Sequence, residues 1–238
     1  MFIFFIISGY ISSYALKKDV VQVSNINISD NFKKLDVAVN KDDYVVQKIE
    51  EKADHYNISI YYPLTKFEIL NKEIQRVING YLSDFKSSVN AELTKGIWNE
   101  FYLDIKFNMY KYKNYVSYVF YISNFTGGAH GNSYFYTITF DTSKKQIITI
   151  SDLKYKNKSL LVDLSNYTYK NLMNNQELKD IGALDMIKDG TKPIKDNFKN
   201  FALTNEGIMI FFENYQVAPH VAGEFVVTVP YDKAELDI

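Results

Sequence analysis

The spacing of apolar side chains predicts one strand followed by a long helix. Residues 55–62 alternate between apolar and polar side chains, as a half-buried strand does, and Pro63 stops the run. We expect Thr65 to cap the helix with Glu68 as its capping-box partner, and Gly96 to end it. The apolar residues that share one face of this helix are Phe67, Leu70, Ile74, Val77, Ile78, Tyr81, Phe85, Val89 and Leu93.

From residue 98 onward the apolar period changes to two, which predicts four strands with short connections. Consecutive strands joined in this way form an antiparallel meander, and the preceding helix can cover one of its faces. The predicted strands are 101–109, 115–125, 134–140 and 146–150.

The rest of the sequence predicts a second unit. Leucines and tyrosines at helical spacing indicate a helix over about 158–173, and a short helix is expected around 184–188. Apolar runs then predict three strands at 198–203, 207–212 and 224–229. The predicted fold class is therefore α+β: an antiparallel β-meander covered by a long helix, followed by a second helix-plus-strands unit packed into one compact body.

The first fifteen residues predict an export signal. They carry no charge, and their apolar run is shorter than the roughly 20 residues of a spanning helix. Ser13 and Ala15 suit the −3 and −1 positions of a cleavage site, so no stable membrane span is expected after cleavage. No Lys or Arg precedes the apolar stretch, so a short uncleaved anchor, an upstream start codon and a buried N-terminal strand stay open as alternatives.

These patterns divide the chain into four segments. Residues 1–15 are the signal peptide or short anchor, and 16–44 are an N-terminal extension with an edge strand around Val20. Residues 45–150 form the N-terminal half, with a strand, the long helix and the four-stranded meander. Residues 151–238 form the C-terminal half, with a helix, three strands and a terminal cap.

Composition narrows the function classes. The 238 residues include no cysteine, which excludes disulfides and thiolate chemistry, and export without cysteine favours a bacterial secreted or cell-envelope protein. The net charge of −1 gives no electrostatic reason to expect a nucleic-acid partner. The sequence lacks the glycine-rich phosphate-binding and serine-nucleophile motifs, and His55, His130 and His220 lie far apart in it. No catalytic residue, metal site or cofactor is therefore predicted.

Two loops between predicted strands are the candidate binding segments. The first contains Gly127, Gly128, His130 and Gly131, which either present bare amides and an imidazole to a partner or simply form a wide turn. The residues alone favour the turn.

The second candidate segment, 213–223, contains Tyr215, Pro219 and His220 between two apolar strands. Loops of this length between core strands often carry function. A tucked loop, with Tyr215 and Val217 packed on the sheet, is a structural alternative that the residues support at least as well.

The order of these pieces resembles the RsiV-like and PdaC N-terminal-like family of bacterial extracytoplasmic domains, whose function is unknown and which divide into two adjacent halves. The resemblance covers about residues 45–236, although His220 stands where the family leads us to expect tyrosine. The segments that carry it are 55–63 with the following helix, 127–131 (GGAHG), 151–153 (SDL), 215–220 (YQVAPH), Gly223 and 229–231 (VPY).

The resemblance implies a function. It indicates a secreted or envelope-associated, non-catalytic binding module for lysozyme, as in the RsiV sensor, or for peptidoglycan. Because only about 15 residues precede the expected mature chain and no catalytic segment follows, we expect a freestanding module. The alternative is a cell-wall hydrolase or deacetylase with an unrecognised site around His130, and a third hypothesis is a purely structural envelope domain.

Overall fold

The computed structural model describes residues 43–153 and 160–234. The predicted signal at 1–15, the edge strand around Val20 and the ends of the predicted second helix and terminal cap lie outside these residues. None of the described helices is long and apolar enough to cross a membrane. The helices and strands are β1 (Tyr44–Lys52), β2 (Tyr56–Thr65), α1 (Glu68–Thr94), β3 (Phe101–Tyr112), β4 (Tyr115–Phe125), β5 (Asn132–Asp141), β6 (Gln146–Ile148), α2 (Leu160–Met173), α3 (Gln176–Asp180), α4 (Leu184–Gly190), β7 (Phe201–Leu203), β8 (Ile208–Phe212) and β9 (Phe225–Val229).

Strands β1 to β6 form one large sheet in sequence order. All neighbouring strands are antiparallel except β2 and β3, which are parallel and therefore need the α1 crossover between them. The predicted meander is confirmed as β3 to β6. Within residues 45–150 one strand was predicted before the helix, whereas the structure has two there. Strand β1 is an edge strand, and its polar, mostly solvent-facing sequence gave a weak apolar signal.

The long helix buries its predicted face. Its core residues Leu70, Ile74, Ile78, Phe85 and Val89 pack against the large sheet, and Val77 is also buried. The predicted cap Thr65 is wrong, because Thr65 ends β2 and its hydroxyl bonds Asn71 (2.9 Å), while Phe67 occupies the cap position without a side-chain bond. The predicted end is confirmed: Gly96 has a φ of +77°, which glycine tolerates at a helix terminus.

The other face of the large sheet carries the C-terminal unit. Strands β7, β8 and β9 form a small antiparallel sheet. A shared cluster joins the two sheets and contains Tyr110, Val119, Phe135, Ala202, Met209 and Phe211. Helices α2 and α4 pack on the outer side of the small sheet around a second core. The layers are thus α1, large sheet, small sheet and outer helices, which confirms the α+β fold class.

Hydroxyl groups of the large sheet bind the backbone of the small one. The Leu203 amide donates to Ser117 Oγ at 3.0 Å, and the Phe201 amide donates to Thr137 Oγ1 at 3.0 Å. Ser117 also bonds Thr139 at 2.9 Å, so these buried polar side chains are satisfied. The pairing fixes the position of the small sheet, and with it the loop between β8 and β9.

Asp141 gives the stability of this fold an expected pH dependence. Burial alone would raise the pKa of its carboxyl, but hydrogen bonds from Ser143 (2.6 and 2.9 Å) and the Lys144 amide (3.0 Å) outweigh burial and lower the pKa. Because the pKa of this carboxyl is lower in the folded state, it stabilises the fold at pH values above the unfolded-state pKa of about 3.9. This stability is lost as the pH falls through the folded-state pKa.

We therefore expect Asp141→Asn to lose about 1–2 kcal/mol of unfolding free energy at neutral pH, since charge-assisted bonds become neutral ones. The difference from the wild type should disappear as pH falls from about 5 to about 2. Urea unfolding of both proteins at several pH values measures this difference in unfolding free energy. A constant difference across that range would contradict the assignment.

Candidate functional site

The structure brings the two predicted binding loops together at one end of the large sheet. The rings of His130, from the β4–β5 loop, and His220, from the β8–β9 loop, lie 4.1 Å apart between centroids. The ring of Tyr215 lies 5.5 Å from His220. We call the surface formed by loops 127–131 and 213–223 the rim. All seven predicted binding residues lie on it: Gly127, Gly128, His130, Gly131, Tyr215, Pro219 and His220.

The glycines of the first loop serve its backbone geometry. Gly127 and Gly128 have φ values of +108° and +96°, which residues with a side chain adopt only with backbone strain. At Gly131 a Cβ would lie 2.6 Å from the Tyr102 hydroxyl oxygen, so only glycine admits this tyrosine against the loop. The positive φ values suit the predicted turn, and this loop presents His130 and Tyr102 on the same surface.

The exposed His130 is oriented by its own loop. Its Nδ1 lies 2.9 Å from the carbonyl oxygen of Gly131, and because a carbonyl only accepts, Nδ1 is the donor. In the neutral ring, Nε2 is then left as an acceptor. The imidazole can thus accept a hydrogen bond from a ligand while its ring stays beside His220.

The second loop is held from behind and presents Tyr215 to solvent. Gln216 donates to the carbonyl oxygens of Gly190 (3.2 Å) and Asn197 (3.0 Å), and Val217 is buried. Tyr215 has a φ of +65° and is 58% exposed. Of the predicted tucked loop, with Tyr215 and Val217 packed on the sheet, Val217 is buried as expected, whereas Tyr215 faces solvent because Gln216 and Val217 take the inward positions.

A buried polar network lies under the rim. Glu224, 5% exposed, accepts hydrogen bonds from the Ser133 hydroxyl and from Asn214 Nδ2 (3.3 Å). Asn214 Nδ2 also lies 2.9 Å from Ser133 Oγ. Burial raises the pKa of Tyr121 above its ordinary value, with the negative charge of Glu224 contributing to the same shift. Within residues 43–153 and 160–234, Glu224 forms no ion pair, so neutral donors alone stabilise it.

Two polar atoms of the rim have unused hydrogen-bonding capacity. Asn214 Oδ1 and His220 Nε2 are buried and have no partner among the described residues. An unsatisfied buried polar atom costs about 1–3 kcal/mol, and such atoms often mark ligand sites. Both belong to the 213–223 loop, and because both are buried, this loop would have to shift before a ligand on the rim could bond them.

Part of this site could not be predicted from the sequence. Tyr102, Ser133 and Glu224 come from separate elements and form no local motif, whereas Asn214 lies within the predicted 213–223 segment. Only Glu224, an acidic residue at the start of an apolar strand, gave a signal. In the described part of the chain, no group of three or more His, Asp or Glu side chains is arranged to hold a metal ion.

Two family models match the chain. Residues 23–133 match the model described as deacetylase PdaC, and residues 151–232 match a protein family of unknown function, DUF3298. A curated relative, peptidoglycan-N-acetylmuramic acid deacetylase PdaC of Bacillus subtilis, is 29% identical over 225 residues, which are 93% of this chain and 45% of the relative. The chain therefore spans about half the length of that relative.

Solved structures show the same fold. A DUF3298 family member from Bacteroides fragilis superposes with a TM-score of 0.60 at 18% identity, covering 82% of this chain and 94% of that one. A DUF3298 family protein from Pseudomonas aeruginosa gives 0.58 at 15% identity, covering 82% and 93%. The PdaC-like resemblance inferred from the sequence is confirmed: a segment that matches the PdaC model is followed by one that matches the DUF3298 model.

Proposed function

We propose that the chain is a secreted or envelope-associated bacterial module that binds peptidoglycan through the rim without catalysing a reaction. The observation that carries the proposal is the convergence of the two loops, which places the rings of His130, His220 and Tyr215 on one surface. The PdaC relative supports the choice of ligand, because its name states an action on a peptidoglycan sugar.

The chemistry of the rim suits a sugar polymer. Aromatic rings with a polar edge bind the apolar faces of sugars and hydrogen-bond their hydroxyl groups. The exposed Tyr215 and His130 offer such rings, and the Tyr215 hydroxyl and His130 Nε2 offer polar atoms at the ring edges. The glycan of peptidoglycan carries hydroxyl and acetamide groups that can satisfy them.

We expect Tyr215→Ala to weaken binding to insoluble peptidoglycan about tenfold, as loss of an aromatic anchor typically costs more than 1 kcal/mol. Co-sedimentation of the purified chain with peptidoglycan measures this, and Tyr169→Ala, at an exposed tyrosine of α2, is the matched control. Both variants should unfold like the wild type, because both side chains are exposed. Absence of wild-type retention would overturn the proposal.

Lysozyme is the second ligand to test. The resemblance to the RsiV sensor implies it, and Glu213 places a partly exposed carboxylate on the rim loop above the buried Glu224. A basic protein would be attracted to such a surface. If immobilised lysozyme retains the chain through Tyr215 while peptidoglycan does not, lysozyme replaces peptidoglycan as the ligand.

The enzymatic alternative makes a separate prediction. A hydrolase or deacetylase built on His130 would release soluble fragments or acetate from peptidoglycan, and His130→Ala would abolish that release. Incubation of both proteins with peptidoglycan tests it. Turnover by the wild type that the variant lacks would overturn the non-catalytic assignment, whereas binding without turnover supports it.

A further inference from the structure

Exposed aromatic rings continue beyond the rim along the same end of the large sheet. Trp98, the one tryptophan of the chain, lies in the link between α1 and β3 and is 64% exposed. Tyr102, near the start of β3, is 38% exposed and its hydroxyl reaches Gly131 of the rim. Exposed large aromatic side chains that lie together at one end of a sheet mark an interaction surface.

The strand register places these rings in a row along one end of the large sheet. In the sheet Tyr56 pairs with Phe101, Tyr102 with Phe125 and Asn124 with Asn132, so β2 to β5 all begin or end at this edge. Trp98 therefore lies at the β2–β3 side and the rim at the β4–β5 side. Three strand spacings of about 4.8 Å separate β2 from β5, about 14 Å in all.

The position of Trp98 is fixed by its surroundings. Its ring packs edge-on against His55, with 4.6 Å between centroids and an angle of 64°. The link is bound on both sides, because the Ile97 amide donates to the Glu92 carbonyl (3.1 Å) and the Phe101 amide to the His55 carbonyl (2.9 Å). A ring held in this way loses little conformational entropy when a ligand stacks on it.

From this arrangement we infer that Trp98, Tyr102 and the rim form one extended surface for a linear glycan strand of several sugars, rather than for a single sugar or chain end. The inference rests on the proposed function and adds the length of the ligand. A globular protein partner favours a contiguous apolar patch with a buried centre. Here Trp98, Tyr102 and the rim instead follow one end of the sheet over about 14 Å, and the rings carry polar edges, which suits the repeating faces of a polysaccharide.

The test compares ligands of different length. Peptide-free glycan strands and the matching disaccharide are titrated against the wild type and Trp98→Ala by calorimetry. We expect Trp98→Ala to weaken strand binding about tenfold and to leave disaccharide binding at the rim unchanged. Val162→Ala, at an exposed apolar residue of α2, controls for general surface loss, and Trp98→Phe should restore most of the affinity.

The outcomes separate the two proposals. If the wild type retains strands but Trp98→Ala binds them equally well, or if the disaccharide binds as tightly as the strands, the extended surface is overturned and the rim remains. If Trp98→Ala loses only lysozyme binding, the surface is a protein interface instead. If the wild type binds neither strands nor insoluble peptidoglycan, the proposed function itself fails. Thermal unfolding of Trp98→Ala close to that of the wild type shows that the effect is local.

Discussion

Replacing Gly190 with alanine is expected to lower the free energy of unfolding by about 3 kcal/mol and to weaken peptidoglycan binding in the same variant. Gly190 ends α4 directly behind the rim. A Cβ at this position would overlap the carbonyl oxygen of Gln216 and lie 2.8 Å from Val217 Cγ1. The loop cannot move away freely, because Gln216 Nε2 is bound to the Gly190 and Asn197 carbonyls.

Gly80 offers a matched control for this effect. It lies within α1, where a Cβ would meet nothing within 4 Å, so Gly80→Ala should keep or raise stability by up to about 1 kcal/mol. Guanidinium unfolding gives both free energies, and co-sedimentation with peptidoglycan gives the binding. A Gly190→Ala variant as stable as Gly80→Ala would show that the rim loop is not seated on α4.

Much of the fold follows from local patterns. The helix α1 and strands β3 to β5 show long, regular apolar periods, and a period of this length specifies both the element and its buried face. Strand β1 was not predicted, because an exposed edge strand needs few apolar residues and therefore shows no clear apolar alternation. The cap of α1 was misplaced because Thr65, a good capping residue, is used by β2 and bonds Asn71 instead.

The candidate site was only half predictable, for a physical reason. Each loop was recognisable from its own composition, since glycine clusters and a long inter-strand segment are local features. Their meeting depends on the stacking of the small sheet on the large one, through contacts such as Phe135 with Phe211 (5.0 Å between ring centroids). No sequence period encodes that stacking. The network of Ser133 and Glu224, which are 91 positions apart, is a product of the same packing.

The network under the rim is expected to hold the two halves together, so Glu224→Ala should lower the free energy of unfolding by about 2–3 kcal/mol. The carboxylate accepts hydrogen bonds from Ser133 of β5 and from Asn214 of the rim loop, and stands immediately before β9. Without it the buried donors lose their acceptor and keep their desolvation cost. Glu206→Ala, at an exposed glutamate, should stay within about 0.5 kcal/mol of the wild type.

A double-mutant cycle with Ser133→Ala separates the hydrogen bond from the general loss of the side chain. If the two residues act as a unit, the combined loss should fall short of the sum of the single losses by about 1 kcal/mol or more. Additive losses would contradict the network. Glu224→Gln, which keeps one acceptor oxygen, should lose less stability than Glu224→Ala. Because Asn214 adjoins Tyr215, the same variants should weaken peptidoglycan binding in the order of their lost stability. Tyr215→Ala, by contrast, should weaken binding without destabilising the fold.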